Sequence, residues 1–97
     1  MKATIVNNPS LWIIEFSEEA QKQFRRIDKT LRTRIENFLM MRLARHPEPK
    51  ALGAPLTGDL GSFWRFRVGD YRIIADIMED RLVIHVLKIG HRRPIYD

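Results

Sequence analysis

The sequence predicts an α+β domain, an antiparallel sheet of about four strands in β-α-α-β-β-β order with a two-helix layer packed on one face. Helix-spaced apolar residues mark the first half of the chain, prolines and glycines crowd its middle, and apolar and polar residues alternate in the second half. At 97 residues we expect one domain spanning residues 1–97, with residues 1–10 as a polar N-terminal lead.

The first half predicts a strand followed by two helices. Residues 11–16 form a short run of strand-favouring residues, and Ser17 provides the N-cap of a short helix. A second, longer helix begins after Asp28 and runs to about Ala44. Apolar residues three or four positions apart form one stripe on each helix: Ala20, Phe24 and Ile27 on the first, and Leu31, Ile35, Phe38 and Leu39 on the second.

The second half predicts a long loop and three strands. Three prolines and three glycines make residues 46–62 a loop. Alternating residues then predict strands at 63–68, 71–78 and 82–89, arranged as a meander. Gly69-Asp70 fits a type II′ hairpin, because the first central residue of that turn needs the positive φ that glycine tolerates.

The hairpin fixes a register that opposes Arg67 to Arg72 and puts Arg65 on the same face. Opposed cations destabilise a sheet unless a counter-ion offsets their repulsion, so we expect a bound phosphate there. No acidic residue shares this face of the two strands before Asp76, although an ordinary solvated surface is the alternative. The other face is the predicted core: Trp64, Phe66, Val68, Tyr71, Ile73 and Ala75.

Two loop lengths before the last strand fit the sequence. They place opposite sets of the last strand's side chains on the basic face. We favour a three-residue loop at 79–81 over a two-residue loop. It places Lys88 beside Arg72 on the basic face, and Arg92 extends that surface. The residues that it sends to the core, with the histidine as the poorly matched member, are Val83, His85, Leu87 and Ile89.

Charge and composition favour a polyanionic partner. Seventeen Lys and Arg against twelve Asp and Glu give a net charge of +5, and the isoelectric point is about 10.1. Such a chain attracts nucleic acid. The longest apolar runs are four residues, no secretory signal pattern occurs and no cysteine is present, so we expect a cytoplasmic protein.

The chemistry that the sequence allows is metal-free. No nucleotide-binding or zincin motif occurs, and the three histidines are too dispersed for a metal site, so no metal and no cofactor are expected. RNA supplies its own nucleophile, the 2′-hydroxyl, and cleavage then needs cations around the transition state and groups that move protons. Arginines supply the charge but are poor proton carriers. His91 and Tyr96 are the candidate carriers, with a strand-end cap and a packed ring as their structural alternatives.

Three segments and one residue together match a known family: Pro-Leu-Thr-Gly-Asp-Leu-Gly at 55–61, Trp-Arg-Phe-Arg-Val-Gly-Asp-Tyr-Arg-Ile-Ile at 64–74, Val-Leu-Lys-Ile-Gly-His-Arg-Arg at 86–93, and Tyr96. The chain resembles the RelE/ParE toxin superfamily of bacterial toxin–antitoxin systems. The resemblance implies a small sheet-and-helix ribonuclease fold and cleavage of mRNA in the ribosomal A site without metal. It also implies a cognate antitoxin that wraps the toxin, and neither a membrane nor a small-molecule cofactor.

The resemblance assigns site residues position by position. The catalytic residues that it implies are Arg65, Arg67, Arg72, His91, Arg92 and Tyr96, and we add Lys88 and Arg93 as RNA-binding residues. The chain departs from the family in two places. It has Arg65 and Arg67 where the best-known branch has lysines, and it ends at Asp97 where some members continue into a helix. Both departures make His91 more important as a candidate proton carrier. The rival is a ParE-type inhibitor of DNA gyrase, and a third alternative is a non-catalytic nucleic-acid-binding domain. The ending at 90–93 favours the ribonuclease.

Overall fold

The computed structural model describes residues 11–56 and 63–91. The predicted polar lead at 1–10 lies outside them. Within the described ranges, no helix has the length and apolar character needed to span a membrane. The elements in chain order are β1 (Ile13–Phe16), α1 (Glu18–Arg25), α2 (Lys29–Asn37), a π-helical turn (Phe38–Leu43), a 3-10 turn (Pro49–Leu52), β2 (Ala54–Pro55), β3 (Phe63–Val68), β4 (Tyr71–Met78) and β5 (Val83–His91).

The strands form one five-stranded sheet in the order β1-β5-β4-β3-β2, and the helices pack on one face of it. The predicted α+β fold class is confirmed. Two details differ from the prediction of an antiparallel sheet of about four strands. β1 joins β5 in parallel, with Ile13 opposite Val83, and β2 adds a fifth strand inside the segment predicted as loop.

Both helices begin where the sequence predicts. The Ser17 hydroxyl accepts a hydrogen bond from the Ala20 backbone N–H at 3.0 Å, whereas Asp28 occupies the N-cap position of α2 without a side-chain hydrogen bond. After Asn37 the second helix widens into a π-helical turn, in which the Ala44 N–H reaches back to the Leu39 carbonyl.

The hairpin has the predicted register. Gly69 has a φ of 61°, and Asp70 is not among the described residues with positive φ, as a type II′ turn requires. Arg67 pairs with Arg72 next to the turn. Four residues of the predicted face are buried in the core beneath the helices: Phe66, Val68, Ile73 and Ala75.

The predicted register of β5 is wrong over its first half. Four residues, not three, separate β4 from β5, and the pairing between them slips at Leu87, so that Val86 lies opposite Ala75 while Lys88 lies opposite Ile74. The extra residue of this β-bulge reverses the alternation of the strand. The core therefore receives Ile84, Val86 and Ile89, while Val83 and His85 lie on the other face, and the predicted sides of Lys88 and Ile89 are correct.

Backbone groups of β5 around the bulge are hydrogen-bonded by α1. β1 ends at Phe16, opposite Val86, and the chain then turns into the helix. The Ser17 hydroxyl donates to the Leu87 carbonyl at 2.9 Å, and the Gln23 side-chain oxygen accepts from the Ile89 N–H at 2.7 Å. α1 thus replaces β1 as the hydrogen-bonding neighbour of β5 and satisfies groups that would otherwise be left unpaired.

We expect Ser17→Ala to lower the free energy of unfolding by about 1–3 kcal/mol, because it removes both the helix cap and the hydrogen bond to the bulge. Urea denaturation measures the loss. Thr33→Ala, at an exposed position of α2, is the matched control and should change stability by less than about 0.5 kcal/mol. Equal stability of the Ser17 variant and the control would contradict the role assigned to Ser17.

Candidate nucleic-acid interface

Four cationic side chains project from neighbouring strands on the face of the sheet opposite the helices. Arg65 pairs with Ile74, and Ile74 pairs in turn with Lys88, so this row crosses β3, β4 and β5. Arg67 and Arg72 form the next row, nearer the hairpin. We call Arg65, Arg67, Arg72 and Lys88 the basic cluster. Directly opposed residues of an antiparallel pair have Cα atoms only about 4.5–5.5 Å apart, so these charges are concentrated in a small area.

The members of the basic cluster differ in burial. Arg72, on the middle strand of the sheet, is only 6% exposed. Arg67 is exposed, and Arg65 and Lys88 are half-buried. One guanidinium is therefore held by its surroundings, while the opposed one is free to move in solvent.

Carboxylates lie on the same face in the next row, farther from the hairpin. Glu15, His85 and Asp76 form a row across β1, β5 and β4. Within residues 11–56 and 63–91, no carboxylate forms an ion pair with Arg65, Arg67 or Lys88. The sheet face is consequently cationic beside the hairpin and acidic farther from it. The cationic part has charge available for an anionic ligand.

The described part of the chain contains no group of three histidine or carboxylate side chains arranged to hold a metal ion. The arrangement of the basic cluster is suited to phosphate instead. Guanidinium groups present planar pairs of N–H donors that match two phosphate oxygens at once.

His91 is not brought together with the basic cluster. It pairs with Tyr71 on the helix side of the sheet, where the two ring centroids are 4.7 Å apart at an interplanar angle of 35°. His91 is three positions from Lys88, and in a strand of period two that spacing puts the side chains on opposite faces. The remaining predicted site residues, Arg92, Arg93 and Tyr96, lie outside the described residues.

Sequence reasoning missed a second set of arginines near the hairpin. A groove of about 350 Å³ between the end of α2 and the hairpin is lined by Arg34 and Arg42 together with Arg67 of the basic cluster. The available signal was the spacing of Arg34, Phe38 and Arg42, four positions apart, which is typical of one helix face.

Opposite effects on stability are expected for the two opposed arginines. Arg67→Gln should leave the free energy of unfolding within about 0.5 kcal/mol of the wild type or raise it, because it removes an exposed charge that repels Arg72. Arg72→Gln should lower it by about 1–3 kcal/mol, since it shortens a buried side chain and removes its interactions. Urea denaturation of both variants measures the difference. Equal stability of the two would show that the burial of Arg72 contributes nothing to the fold.

Solved toxin structures share this fold. The RelBE2 toxin–antitoxin complex from Mycobacterium tuberculosis gives a TM-score of 0.75 at 22% identity, covering 84% of this chain and 91% of that chain. The isolated RelE toxin of E. coli gives a TM-score of 0.68 at 21% identity, covering 82% of this chain and 83% of that chain. The archaeal RelE–RelB complex from Pyrococcus horikoshii OT3 gives a TM-score of 0.68 at 26% identity, covering 87% of this chain and 98% of that chain.

Sequence comparison agrees with the fold. Toxin RelG of Mycobacterium tuberculosis (strain ATCC 25618 / H37Rv) is 25% identical over 85 residues, which are 88% of this chain and 95% of that protein. The sequence pattern of the ParE toxin of the type II toxin–antitoxin system parDE matches residues 14–96. Because that match spans nearly the whole chain, the protein belongs to the ParE toxin family of type II toxin–antitoxin systems, within the RelE/ParE toxin superfamily.

Proposed function

We propose that this toxin is a metal-independent endoribonuclease that cleaves mRNA in the ribosomal A site and so inhibits translation. The observation that carries the proposal is the basic cluster, four cations on the sheet face opposite the helices. Three of them, Arg65, Arg67 and Lys88, have no carboxylate partner in the described chain. Similarity to RelE toxins and to Toxin RelG supports the same reaction class. A ribosomal target implies that the toxin acts in the cytoplasm.

The proposed reaction uses the 2′-hydroxyl of the RNA as nucleophile. Its oxygen forms a bond to the adjacent phosphorus while the bond from phosphorus to the 5′-oxygen breaks, leaving a 2′,3′-cyclic phosphate. One proton leaves the 2′-hydroxyl and one is delivered to the 5′-oxygen. Extra negative charge builds up on the phosphate oxygens in the transition state, and preorganised cations stabilise that charge.

Arg72 and Arg67 have different parts in this mechanism. Arg72 is buried, so its guanidinium is already oriented and needs little reorganisation when charge develops. Arg67 is exposed and closes on the same phosphate from the neighbouring strand. A phosphate bound by both side chains offsets the repulsion between them.

Proton transfer requires a different residue type, because arginines stay protonated. We assign it to Tyr96, which matches the C-terminal tyrosine of the RelE/ParE toxins. Lys88 shares the face of the basic cluster and is the second candidate. His91 lies on the opposite face against Tyr71, which argues against direct contact with the same phosphate.

A cognate antitoxin is the proposed protein partner. Similar solved structures include toxin–antitoxin complexes from Mycobacterium tuberculosis and Pyrococcus horikoshii OT3. The charge of +5 on this chain favours an antitoxin with acidic segments, which would neutralise the basic cluster and exclude RNA.

Inhibition of DNA gyrase is the second candidate function, because the sequence pattern matched over residues 14–96 is that of ParE toxins. Primer extension on ribosome-bound mRNA and a gyrase supercoiling assay separate the two functions. Codon-spaced cuts with normal supercoiling support the ribonuclease. Blocked supercoiling without cuts would replace the ribonuclease proposal with gyrase inhibition. RNA binding without either effect would indicate a non-catalytic nucleic-acid-binding domain.

The assignment of proton transfer predicts unequal effects at two positions. Tyr96→Phe should slow single-turnover cleavage of ribosome-bound mRNA by about 10²- to 10⁴-fold, the usual loss for a general acid or base. His91→Gln should stay within about tenfold of the wild type. Ribosome binding should be unchanged in both variants, since neither removes an arginine. If the His91 variant is inactive and the Tyr96 variant is active, proton transfer must instead be assigned to His91, on the other face of the sheet.

Charge complementarity predicts that antitoxin affinity falls as salt rises, because Debye screening weakens attraction between exposed charges. Isothermal titration calorimetry at low and high NaCl measures the change, with the Arg67→Gln toxin expected to show a weaker salt dependence. Arg81→Gln, at an exposed turn at the far end of the sheet, is the control. A dissociation constant independent of salt would exclude an electrostatic interface.

A further inference from the structure

The groove next to the hairpin is lined by three arginines and by apolar residues. It lies between the last turn of α2 with the π-helical turn on one side and the start of the β3–β4 hairpin on the other, with a volume of about 350 Å³. Its cations are Arg34, Arg42 and Arg67, and its lining also includes Asn37, Phe38 and Met41. We call it the arginine groove.

Two of these arginines are positioned by specific contacts. The Arg42 guanidinium carbon lies 5.5 Å from the centroid of the Phe38 ring, which is cation–π distance. The Arg34 guanidinium lies against Gly69, where an added Cβ would stand 3.3 Å from its Nη1 atom. Gly69 therefore serves the turn through its φ of 61° and also leaves room for Arg34 above the hairpin.

The charge of the arginine groove is not neutralised within the described residues. Neither Arg34, Arg42 nor Arg67 forms an ion pair with a carboxylate there. Asp70 neighbours Gly69 in sequence but does not line the groove. Arginines that line one groove fit an anion with several oxygens, and phosphate matches the paired N–H donors of their guanidinium groups.

We propose that the arginine groove binds an RNA backbone phosphate adjacent to the one held by the basic cluster. Arg67 belongs to both sets, so a strand that reaches Arg67 from the basic cluster passes the mouth of the groove. RNA carries a charge at every nucleotide and presents a further phosphate to Arg34 and Arg42. The inference rests on the proposed function, since it assumes that the toxin acts on RNA. The strand is either the message or ribosomal RNA.

Binding to RNA that cannot be cleaved tests the groove separately from catalysis. The probe is a single-stranded RNA oligonucleotide with 2′-O-methyl groups at every position, and its dissociation constant is measured by fluorescence anisotropy over a range of salt. Ribosomes without message form the second arm. The variant is Arg34→Gln/Arg42→Gln, and the control Arg26→Gln/Arg81→Gln removes the same charge from exposed positions outside the groove.

For the groove variant we expect an increase in the dissociation constant of about tenfold or more. The slope of log affinity against log salt should fall by about 0.7 for one lost phosphate contact to a single strand. The control should change affinity by less than about twofold. Arg34→Lys/Arg42→Lys should recover the salt slope but only part of the affinity, because lysine keeps the charge and loses the paired donors.

The two arms identify the source of the phosphate. A loss of affinity for the oligonucleotide assigns the groove to the message, and a loss confined to empty ribosomes assigns it to ribosomal RNA. No loss in either arm, or an equal loss in the control, would overturn the proposal, as would a variant that loses only antitoxin affinity. Primer extension with the wild type reports independently whether cleavage occurs, so failure of the ribonuclease proposal is distinguished from failure of the groove.

Discussion

The hydrogen bonds between α1 and β5 satisfy the backbone of β5 at the point where its alternation reverses. Where β1 stops, the Ser17 hydroxyl reaches the Leu87 carbonyl and the Gln23 side chain reaches the Ile89 N–H. They accompany a bulge that turns Ile84 and Val86 to the helices while Lys88 stays on the opposite face. Without the extra residue, Ile84 and Val86 would lie on the face opposite the helices. The core residues of β5 and Lys88 of the basic cluster thus depend on the same local irregularity.

The pairing of Arg67 with Arg72 is unfavourable for the sheet by itself, and its position explains how the fold tolerates it. Arg72 lies on the central strand and is buried, whereas Arg67 lies on β3 and is exposed. One charge is held in place and the other is solvated, so the repulsion is partly screened until an anion arrives. The same asymmetry is suited to a reaction in which one cation is preorganised and another closes on the phosphate.

Arg67 belongs to both the basic cluster and the arginine groove, and Gly69 of the hairpin shapes both sets. Gly69 makes the turn that opposes Arg67 to Arg72, and its missing side chain leaves room for Arg34. In the proposed mechanism, one strand of RNA would contact both sets of arginines. An acidic antitoxin segment that covered Arg67 would then compete with RNA at both sites. Contact with this one residue would be enough to inhibit RNA binding at both.

The sequence by itself determined the features that depend on neighbouring residues. Alternation and the Gly69-Asp70 turn predicted the hairpin register, the pairing of Arg67 with Arg72 and the faces of the residues around them, because a two-residue turn leaves little freedom. The cap at Ser17 followed from its place before the acidic first turn of α1. Only the tertiary structure decided the parallel position of β1, the bulge at Leu87 and the convergence of Arg34 with Arg67. These depend on contacts between distant segments, such as hydrogen bonds spanning 66 and 70 residues, which no local pattern encodes.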